Sequence, residues 1–573
     1  MIHLTIDGET IAVEPGTTIL EASRRLNVHI PTLCYHEDQA VKAVCRICVV
    51  EVEGQRLLPA ACSTPVSEGM VVKTASPKVI KARKNIMELI LARHPQDCLV
   101  CSKNGSCELQ KIARDLNMTR PNRYELQPRD ARFDDSSLSL VRDMSKCILC
   151  NRCVETCSQK QGVMVMAKEN RGFETVIVPP YGKKLQDTSC VNCGQCIQVC
   201  PVGAISVRDN TDDVYDQIAA GKYMAIQIAP SVRITLGESL GYAPGSVTTG
   251  KIIHALRKIG FHKVFDSDFS ADLTIMEEGT ELLHRIQNGG TLPLITSCCP
   301  AWVKYCETYG HKQLNHLSTA KSPQQMFGAV IKTYFAEKEG IDPAEICSVS
   351  VMPCTAKKFE CKRSEFHDSG YQDVDISITV EELAKMIRTA GIDFDDLEDQ
   401  EFDAPFGLGS GAGQIFGSTG GVMEAALRTV YEVLTGETLP RLEFEEVRGL
   451  EGIREASVTI NHQEIRVAIV HGLKNVEGIL SQIKEGTSPY HFIEVMACEG
   501  GCIGGGGNAP KTMKKVRERQ RAIYEEDAKL PLRKSHENPY VQLLYKEFLG
   551  EPLSEKAHQL LHTQYHSRRD LLR

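Results

Sequence analysis

Leu4 and Ile6, then Ile11 and Val13, alternate with polar residues on either side of Asp7–Gly8, a pattern that predicts two strands joined by a tight turn. Thr17 and Thr18 follow as candidate caps of a short amphipathic helix over ILEASRRLN. A longer helical period runs through KVIKARKNIMELILARH, and the polar, proline-bearing stretch TRPNRYELQPRDARFDDSS reads as a linker. From about Tyr223 the pattern changes. Short apolar runs (YMAIQIAP, LPLITSCCP, ICSVSVMPC and YHFIEVMAC) alternate with helical stretches such as VMEAALRTVYEVL, which predicts an α/β domain on a parallel sheet. At 573 residues the chain exceeds what one core organises, so several domains are expected.

A formal net charge of −8 argues against a nucleic-acid partner. No run of about 18 apolar residues occurs, so no membrane span is expected. The N-terminal MIHLTIDGETIAVEPG carries acids where an export signal carries bases and an apolar core, which predicts a cytoplasmic protein. Against this ordinary background stand 23 cysteines. In a reducing compartment such thiols serve as metal ligands or catalytic groups rather than as disulfides.

Their spacing is regular. Cys34, Cys45, Cys48 and Cys62 suit a 2Fe-2S cluster, and the hairpin-helix start resembles the β-grasp fold of plant-type ferredoxins; four thiolates also suit a structural zinc. His94, Cys98, Cys101 and Cys107 could hold a 4Fe-4S cluster or form a zinc knuckle. Next come Cys147, Cys150, Cys153 and Cys157, then Cys190, Cys193, Cys196 and Cys200 followed by Pro201. These repeat C-x2-C-x2-C-x3-C, the bacterial two-cluster ferredoxin run in which the fourth cysteine of each run ligates the other cluster. The front of the chain reads as an electron conductor with one 2Fe-2S and three 4Fe-4S clusters.

Three of the later apolar runs end at cysteines, so Cys298, Cys299, Cys354, Cys498 and Cys502 could converge beyond the carboxyl ends of their strands. TSCCPAW, MPCTAKKFE and MACEGGCIGGGG resemble the three signatures of FeFe-hydrogenases, and the cluster order resembles their long clostridial type over essentially the whole chain. The resemblance implies a catalytic H-cluster. Its 4Fe-4S cubane would be bound by Cys299, Cys354, Cys498 and Cys502, with Cys502 bridging to a diiron unit that carries CO, CN and azadithiolate ligands. It implies further that Pro230, Ser231, Gln324, Met352, Lys357, Phe416 and Met496 surround this cofactor. Cys298 would deliver protons along a path of Glu278, Ser318, Glu281 and Arg285. By helical spacing alone, Glu278, Glu281 and Arg285 read as a solvated helix face.

The expected fold class is multidomain α+β and α/β: a β-grasp 2Fe-2S domain over 1–78, a small His/Cys cluster domain over 79–125, a two-cluster ferredoxin domain over 138–209 and a large α/β hydrogenase catalytic domain over 210–573. The substrates implied are H2 and protons. Ala301 and CIGGGGNAP differ from the ferredoxin-linked enzymes and look more like catalytic subunits of NAD-linked, electron-bifurcating hydrogenases. GLGSGAGQIFG lacks the strand-turn-helix context of a dinucleotide site, so NAD would be bound by a flavin-containing partner. The implied partners are ferredoxin, that flavin/NAD subunit and a small iron-sulfur subunit.

Overall fold

A computed structural model describes residues 1–118, 123–124, 132–460 and 463–572. They form two compact units. The first comprises Met1–Gln159, Met164–Leu185 and Val199–Ser206; the second comprises Lys160–Val163, Gln186–Gln198 and Val207–Arg573.

The first unit begins with the expected hairpin. Ile2–Ile6 pairs antiparallel with Glu9–Val13, and Asp7 and Gly8 take φ of 51° and 93°, the left-handed pair that a two-residue turn requires. Ile2–Ile6 also runs parallel to Met70–Lys73, completing a sheet in the order Glu9–Val13, Ile2–Ile6, Met70–Lys73, Glu51–Val52. Thr18 caps the helix Ile19–Arg25 in a reciprocal capping box with Glu21. Ile19, Leu20 and Ala22 pack beneath the sheet with Leu4, Ile6, Val50 and Val72. Ser76 caps the helix Pro77–Leu91, which leads to His94. Much of the expected linker, 119–122 and 125–131, lies outside the described residues; its last part is not linker, because Phe133–Asp134 pairs antiparallel with Leu140–Asp143.

In the second unit one predicted parallel sheet resolves into two. The first is fully parallel, in the order Lys263–Asp266, Tyr223–Ile228, Ile346–Met352, Ile376–Thr379. The second orders Leu294–Ile295, Phe492–Met496, Gln463–His471 and Ile453–Ile460, and its last pair is an antiparallel hairpin. The apolar runs on which the expectation rested are strands, but strand patterning does not say which strands share a sheet.

Ser267–Gln287 is the central helix of this unit and packs against Pro323–Val330, Gly411–Ile415 and Gly421–Thr435. Phe265, Phe269, Phe327 and Phe406 stack largely edge to face near its start, with centroids 4.9 to 5.9 Å apart. Asp272, buried at mid-helix, accepts hydrogen bonds from Ser410, Ser535 and Asn538. The glycine-rich stretch serves packing: a Cβ on Gly413 would stand 2.4 Å from the Asp268 carbonyl oxygen. Gly413→Ala is therefore expected to cost about 1–3 kcal/mol, the usual range for overpacking a tight interior. Calorimetry should show a lowered Tm, and an unchanged Tm would mean the helices can separate freely.

Candidate active site and cluster sites

Each strand that was expected to end at a cysteine does so. Leu294–Ile295 leads to Cys298 and Cys299, Ile346–Met352 to Cys354, and Phe492–Met496 to Cys498 and Cys502. All five cysteines line one cavity of about 80 Å³. Pro230, Ser231, Gln324, Met352, Lys357, Phe416 and Met496 line the same cavity. Its approach is shaped by glycine: a Cβ on Gly505 would meet the Pro353 carbonyl oxygen at 2.2 Å, and Gly501 has φ of +87° with Thr419 N only 2.5 Å from where its Cβ would be.

Cys299 begins the helix Pro300–Tyr309, whose first turn has Pro300. Its Sγ accepts from Ala497 N at 3.4 Å, and Cys498 Sγ accepts from Gln195 Nε2 at 3.1 Å. Burial pushes every thiol of the cavity upward, Cys498 to about 11 and Cys502 to about 12. Cys298 is likewise pushed well above the usual thiol range; burial is the main cause and the nearby Glu278 the next. Lys357 Nζ donates to Glu360 Oε2 at 2.8 Å and to the Cys298 carbonyl oxygen at 3.2 Å. Burial opposes its charge, but Glu360 and the surrounding sulfurs raise its pKa on balance. Ser231 Oγ is buried without a hydrogen-bond partner among the described residues.

These features fit a resident iron cofactor. Four soft sulfur donors suit a cubane, while the orphan Ser231 hydroxyl and the Lys357 ammonium suit polar ligands on a diiron unit.

The Glu-Glu-Arg stripe is not a solvated face. Glu278 is 1% exposed and Glu281 7%, because other segments, Ser318 and Thr319 among them, cover this face of the central helix. Burial, then the charge of Glu281, pushes the Glu278 carboxyl up to about 8. Hydrogen bonding from the Ser318 side chain and the Ser297 backbone offsets part of this rise. Ser318 Oγ donates to Glu281 Oε2 at 2.9 Å, and the same side chain acts on Glu278. Arg285 Nη2 lies 2.6 Å from Glu281 Oε1 and also donates to the carbonyl of Leu317.

In the first unit, Cys34 adjoins Cys45 and Cys48 adjoins Cys62. Within each pair one thiol donates to the other, which lowers Cys34 and Cys48 and raises Cys45 and Cys62. His94 Nδ1 is buried without a hydrogen-bond partner among the described residues, and burial favours the neutral ring, the state in which imidazole binds metal. Cys107 is raised by burial and by the nearby Cys101 and Cys98. A small cavity brings Cys147, Cys150 and Cys153 to Cys200, so the first run meets the last cysteine of the second. Cys190, Cys193 and Cys196 lie in the second unit.

Comparison with known proteins decides the family. The profile of the iron only hydrogenase large subunit, C-terminal domain, matches residues 222–506. Across its full length the chain is 50% identical to the NADP-reducing hydrogenase subunit HndD of Solidesulfovibrio fructosivorans, also over that protein's full length. The chain belongs to the FeFe-hydrogenases. Iron hydrogenase 1 of Clostridium pasteurianum is 41% identical over 99% of this chain and 100% of its own. A solved variant of the FeFe-hydrogenase HydA1 from Chlamydomonas reinhardtii is 41% identical, with TM-score 0.57, over 63% of this chain and 99% of its own. This FeFe-hydrogenase also matches a 2Fe-2S binding domain over 1–77, the NADH-ubiquinone oxidoreductase-G iron-sulfur binding region over 83–122, a 4Fe-4S dicluster domain over 146–204 and the iron hydrogenase small subunit over 513–568. It is thus an iron-sulfur enzyme that interconverts protons, electrons and H2. No helix among the described residues is long and apolar enough to cross a membrane.

Three contributors escaped the sequence reading. Glu360 binds Lys357, Ser322 and Gln324, and its i, i+3 spacing from Lys357 within the quoted TAKKFE was the available signal. Thr319 N donates to Glu281, and its hydroxyl meets His562 Nδ1 at 2.8 Å; nothing local announces a partner 243 residues away. The third is Gln195.

Proposed function

We propose that the H-cluster cubane is held by Cys299, Cys354, Cys498 and Cys502, with Cys502 shared with the diiron unit. When bound, that cofactor supplies the iron centre at which two protons and two electrons become H2. The observation that carries this reading is the gathering of five sulfurs and all seven expected lining residues around one buried cavity. Lys357 and Ser231 present donors to the polar ligands of the diiron unit, and Met352, Phe416 and Met496 keep water from it. Cys298, the sulfur left over, holds the proton nearest the reacting centre. Glu278 stands behind it, followed by Ser318, Glu281 and Arg285 toward the surface.

The 2Fe-2S cluster takes Cys34, Cys45, Cys48 and Cys62, and the histidine-ligated 4Fe-4S cluster takes His94, Cys98, Cys101 and Cys107. The two ferredoxin clusters take the eight cysteines of the two runs, Cys147, Cys150, Cys153 and Cys157 with Cys190, Cys193, Cys196 and Cys200. By the cysteine spacing the domains run over 1–78, 79–125, 138–209 and 210–573. Electrons enter or leave through ferredoxin and through a flavin-containing partner subunit that binds a nicotinamide cofactor, in the cytoplasm; the name of the NADP-reducing relative supports the nicotinamide link.

The test is anaerobic hydrogen evolution from a reduced one-electron dye, beside an iron assay. Full-length protein supplied with the diiron cofactor should hold about 20 iron atoms and evolve hydrogen. Full iron without hydrogen would replace this reading by that of a sensor or electron-transfer subunit.

A further inference from the structure

Residues 186–198 carry three cluster cysteines and are fastened to the walls of the active-site cavity. Thr355 Oγ1, next to Cys354, donates to the Asn192 carbonyl at 2.6 Å. Gly194 packs so tightly that a Cβ there would lie 2.5 Å from Thr355 Oγ1 and 3.2 Å from Gly506 Cα. Gln198 Nε2 donates to the carbonyls of Gly506, at 3.1 Å, and Asn508, at 2.7 Å. Between these anchors sits Gln195, 4% exposed. Its Nε2 donates to Cys498 Sγ at 3.1 Å and to the Gly504 carbonyl at 3.0 Å.

A structural glutamine needs only the carbonyl. A donor aimed at a ligand sulfur does more. An N–H directed at a metal-bound thiolate withdraws electron density from it and favours the state with one more electron, so it raises the potential of the metal centre. Gln195 also lies in sequence between Cys193 and Cys196, so its side chain is a short route from one set of ligands to the other: covalent bonds from Cys196 to the amide, then one hydrogen bond to Cys498.

Resting on the ligand assignment above, we propose that Gln195 is a positioning residue that couples the cluster at Cys190, Cys193 and Cys196 to the cubane. Its amide holds the cubane potential up and carries the electron between them. In the transfer, the accessory cluster loses one electron, the cubane gains one, and no proton moves.

The test uses the full chain loaded with its iron-sulfur clusters but without the diiron unit, so that the readout is a potential rather than turnover. Gln195→Leu removes both hydrogen bonds. Gln195→Glu keeps the shape and, as a carboxylate, lacks the donor. EPR-monitored redox titration follows the signal that disappears in Cys354→Ala. In both variants the reduced fraction of this signal at fixed potential should fall about tenfold, equivalent to about 59 mV for one electron, while the other clusters titrate as in the parent.

An unchanged midpoint in variants with full iron overturns the role of Gln195 and leaves the ligand assignment standing. Loss of cluster iron in both variants overturns it as well, because it would make the amide purely structural. A parent that shows no signal dependent on Cys354 overturns the ligand assignment and this inference together.

Discussion

Cys298→Ala, supplied with the complete cofactor and holding the same iron as the parent, is expected to evolve hydrogen roughly 10²- to 10⁴-fold more slowly, the range that a positioned proton donor contributes. The physical reason lies in the pairing of Cys298 with Cys299. Cys299 begins the helix Pro300–Tyr309 and its sulfur is held by Ala497 N. Cys298 is the one cavity thiol outside the proposed cubane set, and burial together with Glu278 keeps it protonated. Alanine deletes the proton without touching a ligand. Anaerobic dye-driven assays, normalised to iron, check this. A rate within a few-fold of the parent would remove Cys298 from the proton path.

Glu278→Gln should produce a loss of similar size, with a distinct pH signature. Burial, aided by Glu281, raises this carboxyl from 4.5 to about 8, so near neutral pH it holds its proton and can hand it on. Hydrogen evolution in the parent is expected to fall as pH climbs above about 8, where the group becomes a carboxylate. Hydrogen oxidation, which needs a proton acceptor, should rise over the same interval. Glutamine has the same shape and no titration, so it removes both inflections.

The linkage to folding has the same origin. The unfolded chain releases this proton near 4.5 and the folded chain near 8, so the stabilising contribution is complete below about 4.5 and lost as pH rises through 8. Thermal unfolding of the variant should therefore vary less with pH between 5 and 9. Parallel pH profiles of parent and variant would contradict the assignment.

Both predictions concern residues whose identity was legible and whose surroundings were not. The cysteine spacings were readable because metal ligation ties residue type to interval. The hairpin about Asp7–Gly8 and the helix after Thr18 follow from local chemistry, and both form as expected. The strands leading to Cys354 and Cys498 were readable as apolar runs. Their division between two sheets was not, since one alternation pattern serves either neighbour.

Glu278, Glu281 and Arg285 looked like a wet stripe because helical periodicity reports spacing rather than what covers it. The cover comes from distant segments: Tyr545 and His562 close on Glu277, the next residue of that helix, and Ser318 and Thr319 close on Glu281. Gln195 was invisible for a related reason: a glutamine between two cysteines has no sequence signal, and its acceptor on Cys498 lies 303 residues further along.

The distribution of the cavity sulfurs also bears on the order of events in the life of the protein. Cys354 follows a strand of the fully parallel sheet, whereas Cys299 and Cys498 follow strands of the mixed sheet, and more than a hundred residues separate Cys354 from Cys498. Contacts of such separation form slowly, after their long loops have closed. On the proposed ligand set neither sheet alone supplies all four sulfurs, so capture of iron would await a chain whose topology is already committed. Held by those four cysteines, the metal would act as a clasp across the two sheets, and its escape to a chelator would be a clock for their parting.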